Sequence, residues 1–514
     1  MLHHREKLLL AIASGLLLTA SFPPTFMGRI AWFALIPLFK SLQGLAGKQA
    51  FTTGFLFGLA HNVTLVYWVV FVMQHYGNLP MPASLGILLL LAMYLALYPA
   101  LFSLLASTFG PSLFCFKAAG LWVVLEFVRA KVLTGFPWCL VGYSQYRDLP
   151  LIQAADLVGV YGISFVIVLA NALLYRLLLE RPLKAVRLDL AVTLLVTALI
   201  YAYGFYRLSE TPDSGSTLKV AVVQGNIDQS IKWDPSFQAE TIRTYRRLSF
   251  LSKPFGPRLV VWPETAAPFF FQDGGDLALK VLETVRETGA YFIFGSPAYG
   301  RHEGAVHYFN RAYLVSPEEE VLDAYDKVHL VPFGEYVPLK RFLPFVRRLV
   351  ESAGDFRPGQ ETVPLFLPHA GAGVLICYES IFPELARAMT REGAHLLVNL
   401  TNDAWFGMTS APYQHFSMAA FRAVETRRPL VRAANTGFSA FIDARGEIHG
   451  ATELFSEAVI HRDLALGPPR LTVYARYGDF FPLCLMLPVL IHGVYVLYSK
   501  TKRSGGAHSW NRKS

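Results

Sequence analysis

Charge is scarce in this chain: Asp, Glu, Lys and Arg make up 16% of its 514 residues against 53% hydrophobic, and the mean hydropathy is +0.38. That balance excludes a disordered chain and an ordinary soluble domain, both of which carry more charge. Cysteine is scarce too, at four residues. Cys115 and Cys484 lie in or beside apolar runs and Cys139 in a connection between them, so Cys377 is alone in its polar segment and a disulfide framework there is excluded. No CxxC or HExxH spacing points to a metal, and no pattern implies an organic cofactor. Tandem repeats and low-complexity tracts are absent, and only the tail after Lys500 has the composition of a disordered segment.

What is present instead is a set of apolar runs long enough to cross a bilayer, which takes about 20 residues. They fall near 8–22, 29–46, 51–74, 84–107, 113–130, 151–180, 188–208 and 480–499. The pattern predicts a polytopic α-helical membrane protein with about eight transmembrane helices. Its parts are a membrane domain over 1–212, a last helix over 478–500 and a basic cytoplasmic tail over 501–514. The first run also has the layout of a secretory signal, with basic MLHHREK before it and LTAS at its end. The Pro23–Pro24 pair at the cleavage position, and the spans that follow at once, predict that it is retained.

Orientation follows from Lys and Arg in short loops. Arg5, Lys7, Lys40, Lys48, Lys117, Arg176, Arg181, Lys184, Arg187 and the cations of the tail all fall on one side if there are eight spans. That side is the cytoplasm, so the segment between the last two spans faces outward. The net charge of +9 then reflects topology, not nucleic-acid binding. Arg129, Lys131 and Arg147, in the fifth connection, are the main exceptions.

From 216 to 470 the pattern changes to short β-branched runs alternating with amphipathic stretches. Strands are expected over 218–225, 258–264, 290–296, 307–316, 373–379, 394–402 and 439–446, and helices over 236–252, 275–288, 383–392 and 411–427. Glu264 in LVVWPE and Cys377 in GVLICYES fall at or just past the carboxyl ends of apolar strands, where active sites of α/β sheets collect. Lys327, in YDKVHLVPFGEY, enters a loop set by Pro332 and Gly334, and Glu335 in that loop is a second carboxylate able to hold the ammonium. After Cys377 the chain passes Tyr378, Glu379 and Ser380 into a helix starting near Pro383, a turn that could aim N–H groups at the sulfur.

Taken singly, each has an ordinary reading: a buried thiol, a solvated carboxylate, a surface Lys. Together they make an acyl-transfer set. The carboxylate takes the thiol proton, thiolate attacks an ester carbonyl, the ammonium holds the oxyanion, and the thioester acylates an amine.

The strings WPET (262–265) and CYES (377–380), with Lys327 between them, resemble the nitrilase superfamily, whose catalytic Glu, Lys and Cys occur in this order on an αββα sandwich. Adding GFPWCLVGYSQ (135–145), VVQGNIDQSIKWDP (222–235), HLVPFGEYVP (329–338), NDAWFG (402–407) and the closing span, the chain is similar over nearly its full length to the apolipoprotein N-acyltransferase family of the bacterial inner membrane. The resemblance implies a periplasmic nitrilase-like domain over 216–470, with Glu264 as base, Lys327 as oxyanion stabiliser and Cys377 as nucleophile. Glu335, Tyr378 and Glu379 would support the pocket and Trp233 would line it. The implied donor is the sn-1 chain of a phospholipid, typically phosphatidylethanolamine. The implied acceptor is a diacylated apolipoprotein, at the α-amine of its S-diacylglyceryl cysteine.

Water competes with that amine, so the acyl pocket has to be sealed. Phe269, Phe270, Phe271, Trp405 and Phe406 are candidates for the seal. The basic aromatic stretch 339–350 is a further one: Lys340, Arg341, Arg347 and Arg348 interrupt apolar residues with charge suited to phosphate headgroups, so it is expected to dip into the outer leaflet as a lid. Two other readings stay open. One is a membrane-tethered nitrilase or amidase. The other is a transporter whose path would run through His61, Asn62, Glu126, Asp156 and Asn171.

Overall fold

A computed structural model describes residues 3–179, 186–210, 216–302, 304–336 and 356–509. The expected lid at 339–350 lies outside the described residues.

The amino-terminal region is helical. Met81–Ala106, Ala155–Leu178 and Arg187–Ser209 are long and apolar enough to cross a membrane, and Gly47–Leu65 with Trp68–His75, bent by 50°, makes a fourth if the pair is one span. The other apolar runs give shorter helices, His4–Ala20, Phe114–Arg129 and the Phe480–Val494 portion of the last helix. The 29–46 run is not one helix. It is a 3₁₀ turn, Gly28–Trp32, followed by Ile36–Leu42, whose seven residues reach only about 10 Å. The last helix continues to Ser509, past the point where a disordered tail is expected, because an established ladder gains one bond for each residue it adds.

Two ends of this bundle are marked by side-chain contacts. At one, Lys7 donates to the Gln43 carbonyl at 2.6 Å, Thr108 meets His492 at 2.9 Å, and Arg176 donates to the Pro111 carbonyl at 2.8 Å and pairs with Asp189. At the other, some 30 Å away along Ala155–Leu178 at 1.5 Å per residue, Asp156 receives Arg427 of the β-rich domain at 2.8 Å. The polar residues of the apolar runs serve packing. Asn171 accepts from Leu35 N–H at 2.8 Å and donates to the Ala31 carbonyl at 2.7 Å; Glu126 accepts from Trp122 and from Val141 N–H; His61 meets Thr19.

Among the described residues the β-rich domain has twelve strands: β1 Thr217–Gln224, β2 Leu259–Val261, β3 Tyr291–His302, β4 Ala305–Val315, β5 Val321–Asp326, β6 Leu365–Leu367, β7 Ala370–Ile376, β8 Ala394–Thr401, β9 Leu430–Ala434, β10 Ala440–Ile442, β11 Ile448–His449 and β12 Ala458–Ala465. They form two six-stranded sheets, ordered β12-β1-β2-β3-β4-β5 and β11-β10-β9-β8-β7-β6. The centre of each is parallel, β1-β2-β3 in one and β7-β8-β9 in the other. Helices Pro235–Leu251, Gly275–Thr288, Pro383–Arg391 and Ala411–Thr426 supply the crossovers, as parallel pairing requires.

Side-chain alternation explains the layering. On β1, Val220 and Val222 join Val374, Leu397 and Val431 of the opposite sheet, while Ala221 and Val223 join Tyr245 and Val281 of the covering helices. Each central strand thus buries both faces, giving a helix–sheet–sheet–helix sandwich.

The strands and helices predicted over 216–470 all have counterparts, most with shifted ends and one, 275–288, unshifted. β2 stops at Val261, before Pro263, which has no N–H to donate. β7 stops at Ile376, because Cys377 has φ +53° and turns the chain. β5, β6, β9, β11 and β12 fall outside the predicted set.

Candidate active site

Glu264 emerges just beyond β2 and is buried, with Thr265 after it at φ +51°. Lys327 follows β5, and its N–H donates to the Asn310 carbonyl on β4 at 2.9 Å. Its ammonium donates to Glu335 at 2.9 Å and lies 3.7 Å from Glu264 Oε1. Asn310 Nδ2 ties the two carboxylates together, donating to Glu264 Oε1 at 2.8 Å and Glu335 Oε1 at 2.9 Å. Glu335 Oε2 takes the Val331 N–H at 2.8 Å, which closes the loop on itself. Glu264 Oε2 is buried without a hydrogen-bond partner among the described residues, an acceptor left open for a proton.

Cys377 sits where β7 gives way to the 3₁₀ turn Cys377–Ile381, 8% exposed. The left-handed backbone there is uncommon for a non-Gly residue and costs energy that its surroundings must supply. They do so through Glu379. Fully buried, it accepts from Ile376 N–H at 2.7 Å on its own turn, and from Val328 N–H at 2.7 Å, His329 N–H at 3.0 Å and the Tyr325 hydroxyl at 2.9 Å around Lys327. One carboxyl group therefore fixes the thiol's turn to the ammonium's loop. Behind it, Tyr378 packs on Phe382 at 5.1 Å and His329 on Phe382 at 3.7 Å.

The electrostatics suit a resting thiol. Burial pushes the Cys377 thiol up, Glu264 pushes it further, and Lys327 opposes them. Burial of Lys327 works against its charge, but Glu335 and Glu264 outweigh it and hold its pKa above the ordinary lysine value. Burial raises the Glu379 carboxyl to about 7, against the pull of its backbone N–H donors and Lys327.

NDAWFG lies behind Cys377. Asp403 pairs with Arg432 at 2.7 Å and His415 at 3.0 Å, and His415 Nε2 reaches the Cys377 carbonyl at 3.2 Å and Ser380 Oγ at 2.9 Å. Burial of Asp403 is outweighed by Arg432 and His415, which hold its carboxyl well below the usual range. Trp138, from GFPWCLVGYSQ, stacks on His415 at 5.9 Å and donates to Gln414 at 2.8 Å. Trp405 packs against Tyr76 at 4.7 Å, and Phe406 against Trp68 at 5.1 Å and Trp138 at 6.0 Å, so this loop is seated on the helical region.

Of the other aromatic candidates, Phe271 is buried among Phe294 and Tyr313 under the covering helices, and Phe270 packs on Tyr299 and Tyr308. Phe271 thus belongs to the first sheet's outer face, whereas strand alternation puts Tyr299 and Tyr308 on the face that carries Asn310. Trp233 is 48% exposed. Its neighbour Lys232 points the other way, 1% exposed, with its ammonium 3.1 Å from the Glu264 main-chain carbonyl. Lys232 and Asn310 are the site residues that the sequence reading passed over. The one group with metal-ligand spacing among the described residues, Asp443, Glu447 and His449, lies beside β10, three strands from β7, and Asp443 already accepts the N–H of Arg445 and Glu447.

Fold and site together define a carbon-nitrogen-hydrolase-type domain mounted on a bundle of apolar helices. Residues 219–470 match the carbon-nitrogen hydrolase domain and 14–173 the apolipoprotein N-acyltransferase N-terminal domain. The chain is 49% identical to an apolipoprotein N-acyltransferase of Geobacter metallireducens over 93% of this chain and 92% of that one. It is 34% identical to one from Methylococcus capsulatus, over 98% of both, and 32% identical to one from Nitrosomonas europaea, over 97% and 99%. Among solved structures, an amidase from Nesterenkonia sp. aligns with a TM-score of 0.38 at 21% identity, over 50% of this chain and 94% of that one. The chain belongs to the apolipoprotein N-acyltransferase family.

Proposed function

We propose that the protein moves a fatty acyl chain from the sn-1 position of a phospholipid, typically phosphatidylethanolamine, through a Cys377 thioester to the α-amine of an apolipoprotein's S-diacylglyceryl cysteine. The observation that carries this reading is the convergence of Glu264, Lys327 and Glu335 around the turn of Cys377, in a domain seated on apolar helices. Glu264 takes the thiol proton as sulfur attacks the ester carbonyl, then delivers it to the departing lysophospholipid oxygen. Lys327 carries the oxyanion's charge meanwhile. In the second half the amine attacks the thioester, its proton passes to Glu264, and the thiol is restored.

The setting we propose is the bacterial inner membrane, crossed about eight times, with the catalytic domain in the periplasm and boundaries at 1–212, 216–470, 478–500 and 501–514. Supporting this, the basic loops share one end of the bundle: Lys7 meets Gln43 there and Arg176 meets Pro111. The exceptions have local partners at the domain boundary: Arg129 donates to the Trp138 carbonyl, Lys131 bridges to Glu384, and Arg147 covers the Phe26 ring.

The test is intact mass spectrometry after incubation with phospholipid alone. The wild type is expected to gain one fatty acyl mass, on Cys377, and Cys377→Ala none; a diacylated lipopeptide then discharges it as an amide. Discharge chiefly as free fatty acid would identify a hydrolase, and no acyl adduct at all would end the proposal.

A further inference from the structure

Charges within the site do not balance on the three expected residues and Glu335 alone. Glu264 and Glu335 bring two carboxylates and Lys327 one ammonium, which leaves one net negative charge that stays in the pocket as it moves from Glu264 to the sulfur and the acyl oxygen. In a low-dielectric interior such an uncompensated charge is costly. The missing positive charge is present in the fold. Lys232 is 1% exposed, and with one N–H spent on the Glu264 carbonyl at 3.1 Å it has two more to offer. The loop that delivers it is fastened to the second sheet, with Ile227 N–H donating to Asn435 at 2.9 Å, Asn435 to the Ile227 carbonyl at 2.8 Å, and Asn402 to Gln229 at 2.6 Å. A buried ammonium normally has an ion partner, since an unpaired one is expelled or neutralised.

We infer that Lys232 is a further charged member of the reaction centre, its ammonium balancing the negative charge that passes from Glu264 to the Cys377 sulfur and on to the acyl oxygen. The inference rests on the acyl-transfer reading above. The step itself is unchanged: the proton leaves sulfur for Glu264, the S–C bond forms, the carbonyl electron pair moves to oxygen, and on collapse the C–O bond breaks and the leaving oxygen takes the proton. Lys232 is not consumed and donates no proton; it lowers the cost of each negative intermediate. Because it acts through Glu264 and Cys377, it is a positioning residue.

The groups that act on Lys232 are Glu264 and Cys377, with Lys327 and Glu335 next to Glu264. On its own segment Asp228 and Asp234 are occupied by the N–H groups of Ser230 and Ser236. Burial lowers the Lys232 pKa to about 8, against the pull of Glu264 and Cys377. A lysine with a lowered pKa is charged below that value, so its contribution is present at neutral pH and fades as pH rises through about 8.

The experiment follows the acylation half-reaction of the full-length protein, in vesicles of phosphatidylethanolamine without acceptor, by intact mass from pH 6 to 10. Wild type is compared with Lys232→Met and Lys232→Arg. Lys232→Met is expected to acylate at least tenfold more slowly at neutral pH, with no fall above pH 8. Lys232→Arg is expected to recover most of the rate and to lose the alkaline fall, because guanidinium keeps its charge. The inference is overturned if Lys232→Met acylates at the wild-type rate, if the wild type shows no alkaline fall, or if Arg is as slow as Met with the same pH profile, the mark of a purely structural residue. A wild type that forms no acyl adduct would overturn the functional reading instead, and the two failures are therefore distinct.

Discussion

At the scale of single residues, Glu379 shows how one fully buried carboxyl can tie two loops together. Its carboxyl accepts four hydrogen bonds, from Ile376, Val328, His329 and Tyr325, and every partner is a donor. Glu379→Gln keeps the shape and turns an amide NH₂ against N–H groups. The expected cost is about 2–3 kcal/mol, read as a lower thermal midpoint in micelles, together with slower Cys377 acylation; an unchanged midpoint would contradict the clamp. Legibility in the sequence also differs residue by residue. Glu264, Lys327, Glu335 and Cys377 stand out because Pro, Gly and apolar runs frame them. Asn310 and Lys232 do not, since one is an unmarked polar residue in a strand and the other a Lys beside a Trp, and only the fold reveals that both are buried against Glu264.

At the scale of elements, the placement of Glu264 depends on a strand it does not belong to. A Cβ added at Gly295, on β3, would fall 2.4 Å from the Thr265 nitrogen and 2.8 Å from the Glu264 Cα. Real Cβ atoms never come so close to backbone, so Gly295→Ala has to push the Glu264 segment away. A displacement on the order of 1 Å costs about a hundredfold in a positioned reaction. Acylation is expected to fall by that order while circular dichroism stays native; full activity in the alanine variant would show that Glu264 needs no such placement. The same scale explains which strands could be read in advance. β1, β7 and β8 are runs of β-branched and aliphatic residues. β9, LVRAA, hides a fully buried Arg432 whose partners Asp403 and Asn399 come from elsewhere in the chain, and β12 alternates exposed polar residues as an edge strand.

For the whole molecule, the junction between bundle and sandwich is ionic as well as aromatic. Asp156 receives Arg427 from the sandwich at 2.8 Å and Arg207 from the helix before it at 3.2 Å, and Arg427 is 7% exposed. Breaking a buried pair from one side costs more than the pair is worth, because the other charge remains. Asp156→Asn is expected to lose about 3 kcal/mol, seen as a lower midpoint in denaturant and earlier proteolysis between helices and sandwich; identical cleavage kinetics would show that the pair does not join them. The sequence disclosed both halves of this architecture, because hydropathy and strand alternation are local signals. It did not disclose that a tryptophan of one half stacks on a histidine of the other. That ring, Trp138, completes the wall behind the Cys377 carbonyl. A truncated version released into solution would keep its full complement of strands yet carry an open socket at its back, so the helical bundle is as much a wall of the candidate site as a support for it.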